Sequence, residues 1–250
     1  MRCYGASDVG KIRKVNEDSF YIQTYDSDHA LAIVADGMGG HKGGKKASAL
    51  AVKVISEYFE ALMPALLGYN GRQLKHSLLK SCKKANEAIF SEASLSDELS
   101  GMGTTIVACF LHGTKLYVLN AGDSRLYIIN DEIKQITKDH SLVGELMSLG
   151  VISANQALNH PQKNVITKAL GADENIDADI YSLKLSENDY ILLCSDGLTN
   201  MVDDEKIAQI IKTEPDIDSA AKKLIIEAKE SGGNDNITAV IIKPVCGGEE

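Results

Sequence analysis

Between residues 104 and 129 three apolar runs, 104–111, 115–120 and 125–129, are separated only by His112-Gly113-Thr114 and Gly122-Asp123-Ser124. A parallel crossover needs a dozen or more residues, so runs this close are expected to pair antiparallel, as a meander. Further runs rich in Val, Ile and Leu at 30–35, 189–194 and 237–242 also read as strands. Two stripes have helical spacing: Ala47, Leu50, Ala51, Val54, Ile55, Tyr58 and Leu62, then Ile217, Ala220, Ala221, Leu224, Ile225 and Ala228. Each stripe needs a sheet to cover. Shorter helices are predicted at 74–89 and at 204–211, the latter capped by Asp203 or Asp204. Antiparallel strands with one-faced helices imply α+β layering. At 250 residues and 44% apolar content, with no break in composition, the chain is expected to form one domain over residues 1–243. Residues 140–170 read as an insertion of short helical pieces over one sheet edge, and 244–250 as a disordered tail.

A formal net charge of −9 argues against nucleic acid or an anionic membrane as partner, and suits cation binding better. Cys3, Cys82, Cys109, Cys194 and Cys246 are odd in number and lack CxxC spacing, as expected of thiols in a reducing compartment. The N-terminus lacks the pattern of a secretory leader, and no apolar run approaches the ~20 residues of a membrane span. A cytoplasmic monomer is expected.

The most informative local pattern is an apolar strand running into Asp-Gly and then into a helix. It occurs at Ala32-Ile33-Val34-Ala35-Asp36-Gly37 and again at Ile191-Leu192-Leu193-Cys194-Ser195-Asp196-Gly197. Asp-Gly usually makes a hairpin turn, but a hairpin demands a second strand at once, and helical stripes follow instead. A carboxylate at the end of a buried strand is held at the sheet rim, where several strands aim oxygens at one point. Asp123, Asp235 and the pair Glu17 and Asp18 occupy comparable places. Carboxylates gathered at one rim repel each other unless a cation neutralises them. Oxygen ligands without a His or Cys cluster favour Mg2+ or Mn2+ over Zn2+. Two such ions sharing a carboxylate lower the pKa of a bridging water and present it as hydroxide for in-line attack on phosphorus. Arg13 supplies a guanidinium able to hold two phosphoryl oxygens; Arg125, close to Asp123, reads equally as a structural ion-pair partner.

Taken in order, Arg13-Lys14-Val15-Asn16-Glu17-Asp18, Asp36-Gly37-Met38-Gly39-Gly40-His41, Gly101-Met102-Gly103-Thr104-Thr105, Ala121-Gly122-Asp123-Ser124-Arg125, Ser195-Asp196-Gly197 and Gly233-Asn234-Asp235-Asn236 resemble the metal-dependent protein phosphatases of the 2C family. The resemblance runs from about Tyr4 to Ile242 and is closest to compact bacterial members that oppose eukaryotic-like Ser/Thr kinases. It implies a four-layer α/β/β/α sandwich, two antiparallel sheets flanked by helices, with two Mn2+ or Mg2+ ions at one end. It implies that Asp36 bridges both ions, that the Gly37 carbonyl ligates one, and that Asp196 and Asp235 ligate the other. Glu17 and Asp18 would act through water, and Asp123 would join Asp196 around a weaker third ion. Arg13 matches the phosphate-binding arginine, and residues 140–170 match the flap. Phosphoserine and phosphothreonine proteins, and the kinase that makes them, are the implied partners. Met38 stands where many eukaryotic members carry a histidine proposed to protonate the leaving alkoxide, and methionine has no proton to give. Water is then the expected acid, with His41 as the nearby alternative.

Two other readings compete. Residues 39–46 nearly spell a nucleotide-binding P-loop, but Lys46 stands where Ser or Thr is required, and antiparallel pairing is the wrong sheet for one. No cysteine is followed six positions later by arginine and no GxSxG occurs, which removes thiol and serine nucleophiles. A non-catalytic interaction module that keeps the fold predicts missing ligands, and none of Asp36, Asp196, Asp235 or Arg13 is missing.

Overall fold

The computed structural model describes residues 1–95, 97–153, 156 and 160–244, without the side chains of residues 40–42. In chain order the strands are β1 (Arg2–Asp8), β2 (Asp18–Thr24), β3 (His29–Met38), β4 (Gly103–Thr104), β5 (Ile106–His112), β6 (Lys115–Ala121), β7 (Arg125–Ile129), β8 (Ile133–Gln135), β9 (Asp179–Lys184), β10 (Tyr190–Cys194) and β11 (Ile237–Lys243). The described α-helices are α1 (Gly40–Leu62), α2 (Gly71–Ala93), α3 (Leu142–Ser148), α4 (Asp196–Thr199), α5 (Asp204–Thr213) and α6 (Ile217–Glu230). One sheet has the order β1-β11-β10-β7-β8 and the other β2-β3-β5-β6-β9, with β4 pairing the end of β3. Among the described residues the strand pairings are antiparallel throughout.

The period-2 alternation of these strands explains the layers. On β3, Leu31, Ile33 and Ala35 pack with α1 and α2, while Ala30, Ala32 and Val34 face the opposite sheet. On β11, Ile237, Ala239 and Ile241 pack with α5 and α6, while Val240 and Ile242 face inward. Strands buried on both faces therefore read as unbroken apolar runs, and the result is the expected α/β/β/α sandwich.

Three expectations are corrected. β5 and β6 do form a hairpin, but β7 leaves it and pairs with β10 and β8 in the other sheet, so 104–129 is not a meander. Gly122, at φ 120°, packs where a Cβ would stand 2.5 Å from that of Thr105, and the free edge of β6 is taken by β9. The helix expected at 74–89 is longer because Asn70 and Gln73 close a capping box: Asn70 Oδ1 accepts from Arg72 N and Gln73 N, and Gln73 Oε1 accepts from Asn70 N. β3 also runs two residues past Asp36 before α1 begins. The segment 140–170 leaves β8 at one sheet's edge, forms α3, and returns through bridges Ser141–Ile166 and Thr104–Leu170. Cys82, Cys109 and Cys194 are buried free thiols and Cys3 is half-buried; Cys246 and residues 245–250 of the expected tail lie outside the described residues.

Candidate metal centre

A cavity of about 540 Å³ opens at one end of the cleft between the sheets, and Arg13, Glu17, Asp36, Gly37, Asp123, Asp196 and Asp235 all line it. Each sheet delivers part of the set. Asp18 and Asp36 are register partners on β2 and β3, so both side chains leave the same face, toward the other sheet. Asp196 follows β10 after Ser195, and Asp235 precedes β11 with only Asn236 between. Asp123 sits on the connection from β6 to β7, placed between the sheets by the crossing that defeats the meander.

Close backbone approach makes the site possible. A Cβ at Gly197 would lie 1.9 Å from the Asn236 carbonyl oxygen, and one at Gly37 would lie 2.1 Å from that of Gly44. Gly44 in turn leaves room for Glu17 Oε1, 2.7 Å from where its Cβ would be. Asn236 ties the Arg13–Glu17 loop to the site: its Oδ1 accepts from Glu17 N at 2.8 Å and its Nδ2 donates to the Val9 and Val15 carbonyls at 3.0 Å. Thr105 Oγ1 accepts from Asp36 N at 3.1 Å, and Asn200 Nδ2 donates to Asp196 Oδ2 at 2.9 Å.

Asp18 is the one member of the expected set that does not line the cavity. It is 9% exposed, and its Oδ2 accepts from Ser195 Oγ at 2.8 Å and Thr238 Oγ1 at 2.6 Å, bridging the two sheets. Its Oδ1, like Glu17 Oε1, is buried without a hydrogen-bond partner. Arg13 is exposed and its Nη2 donates to Asp235 Oδ2 at 2.7 Å. Arg125 is a structural ion-pair residue, its Nε and Nη2 both on the Asp139 carboxylate.

The electrostatics describe a site short of positive charge. Burial, then the charges of Asp18, Asp196, Asp123 and Asp235, hold the Asp36 carboxyl well above its usual range. Burial first, with Asp196 and Asp139 after it, pushes Asp123 up to about 7. Burial raises Asp18 to about 6, with Asp196 and Asp235 adding to it against the two hydroxyl donors. Asp196 is raised by burial and by Asp235. Among the described residues no three His, Cys, Asp or Glu side chains by themselves close on one point as a metal-holding group. Hard cations that keep several waters do not require such closure. Orphaned buried carboxylate oxygens and mutually raised carboxyls fit a divalent, oxygen-seeking ion.

Asn200, Lys163 and Asn164 at the cavity wall, and Thr238 behind it, were not singled out by sequence reasoning. Asn200, four positions after Asp196 on the following helical turns, carried a readable signal. Thr238 carried none, because its partner is on the other sheet.

A sandwich of two antiparallel sheets between helices, with carboxylates gathered at one end of the cleft, agrees with what the family comparison finds. The protein phosphatase 2C family model matches residues 11–224, and the chain belongs to that family. Among its relatives, the serine/threonine phosphatase stp of Listeria innocua serovar 6a is 37% identical over 238 residues, covering 95% of this chain and 93% of the relative. Serine/threonine phosphatase Stp1 from Staphylococcus aureus superposes with a TM-score of 0.89 at 34% identity, covering 96% of this chain and 93% of that one. The catalytic domain of serine threonine protein phosphatase PstP in complex with 2 manganese ions gives 0.84 at 33% identity, with 98% of each chain covered.

Proposed function

We propose that this chain is a metal-dependent protein serine/threonine phosphatase that hydrolyses phosphoserine and phosphothreonine in proteins. The observation that carries the reading is the carboxylate cavity itself, with Glu17 Oε1 and Asp18 Oδ1 buried and unpaired and Arg13 at its rim. Asp36 would be shared by two divalent ions, the Gly37 carbonyl would help hold one, and Asp196 and Asp235 would hold the other. Glu17 and Asp18 would act through water, and Asp123 with Asp196 would hold a third, weaker ion. When bound, Mn2+ or Mg2+ ions neutralise the carboxylates and lower the pKa of water for direct in-line attack on phosphorus.

The chain's own residues supply the rest. Arg13, paired with Asp235 at the cavity rim, would exchange that partner for two phosphoryl oxygens of the substrate. Asp18, fixed by Ser195 and Thr238, holds the two sheets at the spacing that the acids require. Met38 lines the cavity without a proton to give, so the leaving alkoxide takes its proton from water. The His41 side chain lies outside the described residues; on this reading His41→Ala slows alkyl phosphates only mildly.

We read residues 1–243 as one catalytic domain with its flap at 140–170, acting as a monomer in the cytoplasm on substrates of a eukaryotic-like Ser/Thr kinase. Among the described residues no helix is long and apolar enough to cross a membrane. The test is release of phosphate from a phosphothreonine peptide with EDTA, Mg2+ or Mn2+, for wild type and Asp36→Asn. Ion-dependent release abolished in the variant is expected. A folded wild type that stays inactive with every ion overturns the reading and leaves a non-catalytic interaction module.

A further inference from the structure

A second concavity, of about 550 Å³, lies at the opposite end of the β6–β9 ladder and is lined by Gly71, Arg72, Lys75, Lys115, Tyr117, Ser182, Leu183 and Lys184. β6 runs from Lys115 here to Ala121 beside Asp123, which at ~3.4 Å per residue puts roughly 20 Å between this depression and the carboxylate cavity.

The arrangement is unfavourable for an empty surface in three ways. Lys115 and Lys184 are register partners, so two like charges leave the same sheet face directly opposite each other. Arg72 and Lys75 occupy the first turns of α2, at the positive end of a 23-residue helix with no acid in its first turn. The chain as a whole is acidic at −9, yet residues 61–86 contain no Asp or Glu. Among the described residues none of Arg72, Lys75, Lys115 or Lys184 has an ion-pair partner. Violations of local electrostatics that gather around one concavity mark a place where something other than stability is served.

A mostly buried tyrosine points the same way. Tyr117 is 5% exposed and shares the face of Lys115, two register pairs along, opposite Ser182. Its hydroxyl has no hydrogen-bond partner among the described residues and lines the depression. It reaches that wall only because residue 71 is glycine: a Cβ there would lie 2.7 Å from Tyr117 Oη. Asn70 already takes the Arg72 and Gln73 amides, so the ligand is met chiefly by side chains: four cations and the hydroxyls of Tyr117 and Ser182.

We propose that this depression binds a small polyanion carrying adjacent phosphoryl groups, at a site separate from the carboxylate cavity. Four cations converging on one concavity of small-molecule size match closely spaced multiple negative charge, and the two hydroxyls suit phosphoryl oxygens. The phosphoryl groups are free, as in an oligophosphate, or borne on a peptide.

The test is calorimetric titration of the full chain in EDTA at physiological ionic strength, with inorganic tripolyphosphate in one arm and a peptide bearing two adjacent phosphoserines in the other. Saturable binding is expected in at least one arm, and which arm identifies the source. Lys115→Ala/Lys184→Ala is expected to weaken it at least about tenfold, whereas Lys45→Ala/Lys134→Ala, removing the same charge elsewhere, leaves it intact. Thermal unfolding gives an independent readout: without ligand the Lys115→Ala/Lys184→Ala protein melts above wild type, because the like-charge pair is gone, and ligand raises the wild-type midpoint alone. No saturable binding in either arm, or equal weakening by both double variants, overturns the site.

Discussion

Asp18→Asn separates the electrostatic strain of the metal-free site from everything else that titrates. In the folded chain burial holds Asp18 at about 6, against a usual value of 3.8. An acid raised on folding favours the unfolded state once it ionises there, so its destabilising effect is absent below 3.8 and complete above about 6. Two units correspond to about 3 kcal/mol at full effect. Asn keeps the Oδ acceptor for Ser195 Oγ and Thr238 Oγ1 but carries no charge. His112 and His140, both lowered chiefly by burial, act in the opposite sense as pH falls, but they cancel when variant and wild type are compared. Urea unfolding in EDTA is therefore expected to show Asp18→Asn gaining on wild type by about 3 kcal/mol between pH 4 and pH 7.5. In saturating Mn2+ the gain shrinks, because a nearby divalent cation favours the ionised Asp18 carboxylate and offsets its cost. A stability difference that stays flat with pH in EDTA refutes the argument that Asp18 is held charged at a cost.

Gly197→Ala forces a methyl into the Asn236 carbonyl and is expected to cost about 1–3 kcal/mol and weaken Mn2+ binding, since Asn236 anchors the Arg13–Glu17 loop; an unchanged urea midpoint counts against it. Arg125→Met strands Asp139 and is expected to destabilise by about 3 kcal/mol with peptide KM unchanged, so a KM effect at full stability assigns Arg125 to substrate instead. Arg13→Ala is expected to raise KM for a phosphothreonine peptide about tenfold, through loss of a charged contact. Mn2+ affinity should hold or improve, because Asp235 loses a competing partner; a fall in Mn2+ affinity refutes the swing of Arg13 between Asp235 and phosphate.

The sequence by itself determined the elements whose signal is local. Strands buried on both faces, such as β3, β5 and β11, appear as unbroken apolar runs, and α6 appears as its stripe from Ile217 to Ala228. Asp36, Asp123, Asp196 and Asp235 were legible because each sits at or beside a strand end, with Gly next to all but Asp235, a pattern that needs no partner to be seen. Edge strands β1, β2 and β9, half-exposed and mixed in composition, carried no such signal. What tertiary structure alone decided is which strand sits beside which. The departure of β7 from β6 depends on β9 filling an edge and on Gly122 packing against Thr105, and both are non-local. The role of Asp18 as a bridge to Ser195 and Thr238 is likewise invisible in sequence, since its partners lie 177 and 220 residues away. Local propensity and burial pattern are written residue by residue; hydrogen bonds, raised carboxyl pKa values and clusters such as the Lys115–Lys184 pair exist only once the sheets have brought distant segments together.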